Sequence, residues 1–196
     1  MVTIGVLALQ GAVREHIKLL EKIGVRAISV KDPIQLDEID GLILPGGEST
    51  TMRKLIDRYH FFEPIQRFGL QGKPIFGTCA GLILMSTSIS GDETKHFGFI
   101  NMNVERNAFG RQKESFEAKL SIKNVGEEVD AVFIRAPLVK SIGEGVEIVA
   151  TFENEIVAVL ENHYLACSFH PELTEDIRLH KYFINIVITN KEKTII

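Results

Sequence analysis

The chain has 196 residues, of which 45% are hydrophobic and 24% charged, a composition typical of one soluble globular domain. Its 22 basic and 26 acidic side chains give a net charge of −4 without a basic patch, which argues against a nucleic-acid partner. Two cysteines are too few for a disulfide framework, and no apolar stretch has the length of a membrane span or the flanks of a signal peptide, so we expect a single cytoplasmic domain over residues 1–196 that does not bind a membrane.

The first half of the chain predicts buried strands that alternate with amphipathic helices. Residues 3–9 form a nearly continuous apolar run, typical of a strand that is buried on both faces. Val13, Ile17 and Leu20 then recur at helical spacing, and Gly24 is placed to end that helix. Further strands are predicted at residues 26–30, 41–44 and 75–76, and further helices at residues 50–59 and 82–85. This alternation indicates a parallel sheet with helices on both faces.

The second half predicts short strands joined by tight turns. The strand candidates are residues 101–105, 115–122, 131–134, 147–152, 156–160 and 164–169. Asn154-Glu155 is predicted as a hairpin turn. A closing helix with Leu179 and Phe183 on its apolar face follows, and the tail from Asn190 is expected to fray. The predicted fold class is α/β with three layers, a mixed but mostly parallel central sheet and an antiparallel extension.

One cysteine lies in the turn Gly77-Thr78-Cys79-Ala80-Gly81, between a predicted strand and a predicted helix. Small neighbours let the chain bend sharply there, and the free N–H groups of the helix start favour a thiolate and a developing oxyanion. Cys79 is therefore predicted to be a nucleophile. A buried structural cysteine is the alternative. Cys167 lies inside a strand candidate and is assigned to packing.

The segment Ser168-Phe169-His170-Pro171-Glu172 places a carboxylate two residues after a histidine. Alternate residues of an extended segment point the same way, so Glu172 is expected to orient the His170 ring and to stabilise its charged form. The alternative is a loop histidine beside an acid that caps a helix beginning at residues 173–175. The histidine hypothesis gains weight because a cysteine nucleophile needs a base.

A third glycine turn, Pro45-Gly46-Gly47, follows a predicted strand and precedes Glu48 and Ser49. Its backbone is suited to bind an oxyanion or an amide. The alternative is a plain turn in which Ser49 caps the next helix, and both interpretations are compatible. A phosphate-binding loop is disfavoured because the Lys-Ser/Thr pair of that motif is missing.

Two segments carry arginines suited to bind a carboxylate. Residues 106–112 contain Arg106 and Arg111, and Arg135 follows the apolar strand that ends at Ile134. The guanidinium group binds a carboxylate through two parallel hydrogen bonds. Salt bridges at the surface are the alternative for each arginine taken singly.

Together these motifs resemble the class I (triad) glutamine amidotransferases, which have a flavodoxin-like fold, and more narrowly the glutaminase subunits of two-subunit pyridoxal 5'-phosphate synthases. The wider superfamily is indicated by the cysteine turn and by His170-Pro171-Glu172. The narrower family is indicated by the Arg106 segment, by residues 133–137 and by the Gly46-Gly47-Glu48-Ser49 loop. The matching segments are Leu9-Gln10-Gly11-Ala12 with Glu15-His16, residues 44–51, 77–82, 106–112 with Ser115-Phe116, 133–137 and 168–174.

The resemblance implies hydrolysis of L-glutamine to L-glutamate and ammonia by a triad of Cys79, His170 and Glu172. It assigns the oxyanion hole to the N–H groups of Gly47 and Ala80. It assigns L-glutamine binding to Gly46, Gly47, Glu48, Ser49, Arg106, Ile134 and Arg135. It also implies that Gln10 couples the site to a partner.

That partner is expected to be a barrel-fold synthase subunit, which receives the ammonia inside a large hetero-oligomer and makes pyridoxal 5'-phosphate from a pentose phosphate and a triose phosphate. The resemblance implies a glutaminase that is weak until the partner docks, and it implies no metal and no organic cofactor. Two alternatives remain at this point: an amidotransferase of another pathway or a stand-alone cysteine hydrolase, and a non-catalytic module that keeps the fold.

Overall fold

The computed structural model describes residues 2–106 and 114–194 of the chain. The strands are β1 Thr3–Leu7, β2 Arg26–Val30, β3 Gly41–Leu44, β4 Ile75–Thr78, β5 Ser86–Ile89, β6 Ile100–Glu105, β7 Ser115–Ile122, β8 Gly126–Ile134, β9 Leu138–Ile142, β10 Glu147–Phe152, β11 Glu155–Glu161 and β12 Tyr164–Cys167. The α-helices are α1 Val13–Ile23, α2 Ser49–Arg58, α3 Phe62–Leu70, α4 Ala80–Met85 and α5 Arg178–Thr194, and 3-10 helices span Pro33–Glu38 and Pro171–Leu173. None of the described helices is long and apolar enough to cross a membrane.

A mixed ten-stranded sheet forms the centre of the fold. Its strands follow the order β2-β1-β3-β4-β12-β11-β9-β6-β5, and β10 pairs with β11 at the side of this path. The five strands from β2 to β12 run parallel to one another, and β11 begins the antiparallel part. The predicted α/β class, with a parallel half and an antiparallel extension, is confirmed.

Side chains that alternate along the central strands pack into two separate cores, one on each face of the sheet. On β3, Leu42 and Leu44 enter the core shared with α2, α3 and α4, whereas Ile43 enters the core shared with α1 and α5. This division follows from the two-residue period of a strand. It gives the three layers that the sequence predicts.

The hairpin of β7 and β8 is a separate two-stranded sheet that covers the second core. Arg178 at the start of α5 holds the beginning of β8, since its guanidinium donates to the carbonyls of Glu127 and Glu128 at 2.8 and 2.9 Å. The N–H of His170 donates to the carbonyl of Val132 on β8 at 2.7 Å. The hairpin therefore places the end of β8 beside the segment that carries His170.

Two strands were absent from the sequence prediction, and one turn is shifted. Strands β5 and β9 were not predicted, and β5 carries three hydroxyl residues in four positions, so it lacks an apolar pattern. The turn between β10 and β11 has Glu153 and Asn154 at its centre, with φ of 50° and 68°. A two-residue hairpin turn with positive φ at both positions fixes that register, so the predicted Asn154-Glu155 turn is wrong by one residue.

The last helix differs from its prediction at both ends. No helix begins at residues 173–175: Pro171–Leu173 is a 3-10 turn, and α5 begins at Arg178, whose N–H donates to Asp176 at 3.0 Å. At the other end the helix continues to Thr194 instead of fraying from Asn190. The Asn190 amide donates to the Gly72 carbonyl at 2.8 Å, and this contact ties the end of the helix to the fold.

Helix α2 is capped by Glu48 and not by Ser49. The Glu48 carboxylate accepts the backbone N–H groups of Thr50 and Thr51 at 3.0 and 2.7 Å, and Ser49 is already the first helical residue. One side chain, that of Glu48, thus accepts both free N–H groups. The hydroxyl of Ser49 could not reach these two groups. A hydrogen bond from the Thr51 side chain, opposed by partial burial and assisted by the two backbone N–H groups, lowers the pKa of Glu48 to about 2.

Replacing the cap should destabilise the protein more than replacing its neighbour. We expect Glu48→Ala to lower the free energy of unfolding by about 1 kcal/mol and Ser49→Ala to change it by less than about 0.5 kcal/mol. Because the folded pKa of Glu48 lies below its ordinary value, the difference between wild type and Glu48→Ala should vanish as the pH falls through about 2. Urea denaturation measures both; equal losses in the two variants would contradict the cap assignment.

Candidate active site

Four of the residues that the sequence predicts as functional follow the carboxyl ends of neighbouring parallel strands. Gln10 follows β1, Gly46 follows β3, Cys79 follows β4 and His170 follows β12. Loops at this edge of an open α/β sheet meet, because the strands are parallel. The sheet topology thus brings together residues that are up to 160 positions apart in the chain, as the numbers of Gln10 and His170 show.

Cys79 occupies a sharp turn between β4 and α4. Its φ is 48°, in the left-handed region that residues other than glycine rarely adopt. A Cβ at Gly81 would lie 2.0 Å from the Leu44 carbonyl oxygen, and a Cβ at Gly77 would lie 2.6 Å from the Gly81 backbone. The Cys79 N–H donates to the carbonyl of Cys167 on β12 at 2.8 Å. The two glycines and this hydrogen bond hold the strained turn in place.

His170 and Glu172 form a buried hydrogen-bonded pair. The distance from His170 Nδ1 to Glu172 Oε1 is 2.7 Å, and the two residues are 8% and 4% exposed. The 3-10 turn at Pro171–Leu173 brings the carboxylate back beneath the ring. The pairing of these side chains agrees with the spacing argument, although the backbone between them is a turn and not an extended segment.

The Cys79 side chain lies next to the same imidazole, since a Cβ built at Gly46 would be close to both. Burial disfavours the charged ring, but the interactions with Cys79 and Glu172 outweigh it and raise the pKa of His170 to about 10. Gly46 makes room for this contact, since a Cβ there would lie 2.3 Å from His170 Cε1 and 3.4 Å from Cys79 Cβ. An imidazolium is therefore favoured beside the sulfur at neutral pH, as nucleophilic cysteine chemistry requires.

The loop after β3 is held by the loop after β1. Gln10 Oε1 accepts the Glu48 N–H at 3.1 Å, and the Ala12 N–H donates to the Gly46 carbonyl at 3.1 Å. A Cβ at Gly47 would lie 2.5 Å from Gln10 Oε1. Gln10 is consequently a direct support of the Gly46-Gly47 turn.

These groups line a single cavity of about 490 Å³, within the size range of small-molecule sites. The lining residues are Gln10, Gly47, Glu48, Ser49, Cys79, Ala80, Ile83, Arg106, Ile134, Arg135, Pro137 and His170. Of the described residues that the sequence suggests for the site, only Gly46 and Glu172 are not part of the lining. The Cys79 sulfur faces the Ile134 carbonyl oxygen at 4.0 Å. The sequence did not predict Ile83 as a site residue, because it lies in a continuous apolar run that indicates only a buried helix.

The two arginines reach the cavity in different ways. Arg106 donates to Asp92 Oδ2 at 2.7 Å, and its buried Nε has no partner among residues 2–106 and 114–194. Hydrogen bonds from Thr94, and then from Arg106, lower the pKa of Asp92 to about 2. Arg135 is exposed and adopts a φ of 42° at the end of β8. The remainder of the predicted arginine segment, including Arg111, lies outside the described residues.

The arrangement has the parts needed for acyl transfer from an amide. A thiol, an imidazole and a carboxylate lie next to one another in that order, and the Gly47 turn and the start of α4 border the same cavity. An acyl group bound between them would meet the sulfur on one side and backbone N–H donors on the other.

Comparison with known proteins places this geometry in context. The model of the SNO glutamine amidotransferase family matches residues 6–189. The pyridoxal 5'-phosphate synthase subunit PdxT of Shouchella clausii is 62% identical over 94% of each chain, and the subunit of the same name from Bacillus cytotoxicus is 57% identical over 100% of each. A crystal structure of a glutamine amidotransferase has a TM-score of 0.90 at 45% identity, covering 94% of this chain and 98% of that one.

The two cysteines should differ strongly in reactivity. We expect iodoacetamide at neutral pH to alkylate Cys79, which lies beside an imidazolium, long before Cys167, whose pKa is raised well above its ordinary value by burial and by the nearby Glu172 and Cys79. His170→Gln should slow alkylation of Cys79 by about tenfold or more, because it removes the adjacent cation. Peptide mass spectrometry over a time course measures both. Labelling of Cys79 at an unchanged rate in His170→Gln would contradict the pairing.

Proposed function

The chain belongs to the SNO glutamine amidotransferase family, and from that premise we propose that it is the glutaminase subunit of a pyridoxal 5'-phosphate synthase. It hydrolyses L-glutamine to L-glutamate and ammonia and passes the ammonia to a synthase subunit. The observation that carries the proposal is the buried cluster of Cys79, His170 and Glu172 at a cavity of small-molecule size, in which His170 Nδ1 is 2.7 Å from Glu172 Oε1 and the Cys79 side chain lies beside the same ring. The names of the relatives at 57 and 62% identity support the assignment of the pathway.

In the first half of the reaction, the sulfur of Cys79 attacks the carbonyl carbon of the glutamine side chain. The carbonyl oxygen becomes an oxyanion, which the N–H groups of Gly47 and Ala80 bind. The His170 imidazolium then gives its proton to the amide nitrogen. The C–N bond breaks, ammonia leaves and a γ-glutamyl thioester remains on the sulfur.

In the second half, the now neutral His170 takes a proton from a water molecule as that water attacks the thioester carbon. The C–S bond breaks and releases L-glutamate, and the sulfur regains its imidazolium partner. Glu172 keeps the same ring nitrogen bonded throughout, so that the other nitrogen faces the reacting atoms. Each step is assigned to groups of the protein, and the proposal calls for no metal and no organic cofactor.

Recognition of L-glutamine is assigned to residues of the cavity wall around the sulfur. Arg106 and Arg135 bind the α-carboxylate. The buried Nε of Arg106 has no acceptor among the described residues, and it supports this role because a buried donor without an acceptor is costly. The Ile134 carbonyl is suited to accept from the α-amino group. Gly46, Gly47, Glu48 and Ser49 contribute backbone groups, since the Glu48 carboxylate is already engaged by α2.

We assign the partner as a barrel-fold synthase subunit within a large hetero-oligomer in the cytoplasm, where a reducing environment keeps Cys79 as a free thiol. Gln10 is the residue through which docking acts on the oxyanion loop. Its side chain accepts the Glu48 N–H directly after Gly47, so a partner that moved Gln10 would change the orientation of the peptide that binds the oxyanion.

The proposal predicts glutamate release from L-glutamine that increases when a synthase subunit from a close relative is added. Cys79→Ala should reduce the rate by about three orders of magnitude or more, because the nucleophile is lost. Cys167→Ala, which keeps the triad, is the matched control and should stay close to wild type. Glutamate release is measured by a coupled dehydrogenase assay. No release under either condition, or full activity in Cys79→Ala, would refute the proposal.

The arginine assignment has its own test. Arg106→Gln should lower kcat/KM for L-glutamine about 10- to 100-fold, mainly by raising KM, because a charge-assisted hydrogen bond to the substrate is lost. Arg26→Gln, an exposed residue at the start of β2, controls for loss of one positive charge. Steady-state kinetics with the synthase present decides the point; a KM equal to that of wild type in Arg106→Gln would rule this role out.

A further inference from the structure

A row of fully buried polar side chains lies behind the triad. The second carboxylate oxygen of Glu172 is 3.5 Å from His16 Nε2, and that nitrogen is 3.2 Å from Thr78 Oγ1. The other nitrogen of His16, Nδ1, is 2.8 Å from His180 Nε2. His16, Thr78 and His180 are each 0% exposed. The row joins α1, the end of β4 and α5 to the carboxylate that holds His170.

Both histidines of this row are neutral at physiological pH. Burial, together with the neighbouring His180 and His170, lowers the pKa of His16 well below its ordinary value. Burial lowers the pKa of His180 to about 4. The 3.5 Å contact between His16 and Glu172 is therefore one between a neutral ring and a carboxylate, although its distance would also admit an ion pair.

The hydrogen-bond partners favour one tautomer of each ring. If His180 Nε2–H donates to His16 Nδ1, then His16 carries its proton on Nε2, where Glu172 Oε2 and Thr78 Oγ1 both lie within reach. If His16 instead carried its proton on Nδ1, its Nε2 would have no proton and would face the Glu172 carboxylate. This choice would also leave a buried N–H on His180 Nδ1, which has no partner in the part of the chain that the structure describes. An unpaired buried donor and a repulsive contact are both unfavourable.

We propose that His16 is a positioning residue for Glu172, that it donates from Nε2 to the carboxylate oxygen that His170 does not use, and that His180 fixes the tautomer that makes this possible. The catalytic consequence rests on the proposed function; the structural part does not. Glu172 Oε2 is a buried acceptor with no hydrogen-bond partner among the described residues, and His16 Nε2 lies 3.5 Å from it, at the outer limit of hydrogen-bonding distance. Without His16 the carboxylate would lose its second anchor and hold the His170 ring less firmly.

Few other charges act on this row. Among the described residues, the other titratable groups that interact with its members are His170, which faces His16 and Glu172, and Cys167, which faces Glu172. The row is separate from the cavity, since neither His16 nor His180 lines it. A change in His16 should therefore alter how His170 holds its proton without touching L-glutamine.

The test is an NMR titration of the full chain with ¹⁵N-labelled histidine. In His16→Leu, which has similar bulk but no donor, the pKa of His170 should fall by about one unit, the size expected when a hydrogen bond to a charged group is lost. In His16→Gln, the Nε2–H of the glutamine occupies a position similar to that of the histidine Nε2–H. The pKa of His170 should therefore stay close to the wild-type value in this variant. His163→Leu removes a half-buried histidine of the β11–β12 turn and should leave it unchanged.

Kinetics with the synthase present provide the second readout. His16→Leu should lower kcat about tenfold with KM unchanged, and His16→Gln should restore most of the rate. An unchanged pKa of His170 in His16→Leu would overturn the proposal, as would equal effects of the leucine and glutamine variants. Should His16→Leu fail to fold by circular dichroism, the pair His180→Leu and His180→Gln decides by the same criteria. Because the titration needs no L-glutamine, a protein with the expected shift but no glutaminase activity would refute the proposed function alone.

Discussion

The parallel pairing of β4 with β12 is the constraint on which the site depends. Thr78 pairs with Cys167 at the end of this ladder, and the Cys79 N–H continues it with a hydrogen bond to the Cys167 carbonyl. The nucleophile therefore leaves one strand where the histidine segment leaves the next, and His170 is only three residues beyond the last paired position. The left-handed turn at Cys79 then points the chain back toward His170. Register and strain together set the contact between sulfur and imidazole, and the chemistry follows from that contact.

The parallel half of the fold and the triad were accessible from the sequence because their signals are local. Continuous apolar strands, helical periodicity and glycine turns each occupy fewer than twenty residues. Strands β5 and β9 carry no such signal, since they are short edge or connecting strands whose pairing with β6 and β11 determines them. The cap of α2 also escaped prediction, because serine is the commoner cap and only the backbone geometry shows that the Glu48 carboxylate reaches two N–H groups.

The support behind the triad could not be predicted for a different reason. His16 and His180 are 164 residues apart, and no spacing rule connects a histidine on the first helix with one on the last. On sequence alone each interrupts an otherwise ordinary amphipathic helix. Their contact becomes visible only when α1 and α5 lie on the same face of the sheet, above the end of β4. Long-range polar networks of this kind are set by topology, whereas the lining of the cavity is set by loops that carry recognisable motifs.

The pKa values of the three buried histidines thus shift in opposite directions, and their partners are the cause. Burial disfavours the charged form of all three. Only His170 has a carboxylate oxygen at hydrogen-bonding distance and a thiol on its other side, and its pKa rises to about 10. His16 lies 3.5 Å from the same carboxylate but also faces two other imidazoles, and its pKa falls. The proton shared within this cluster consequently resides on the ring next to the sulfur and not on the one behind it. Glu172 contacts both rings, and the imidazolium stays on the ring from which a leaving ammonia needs a proton.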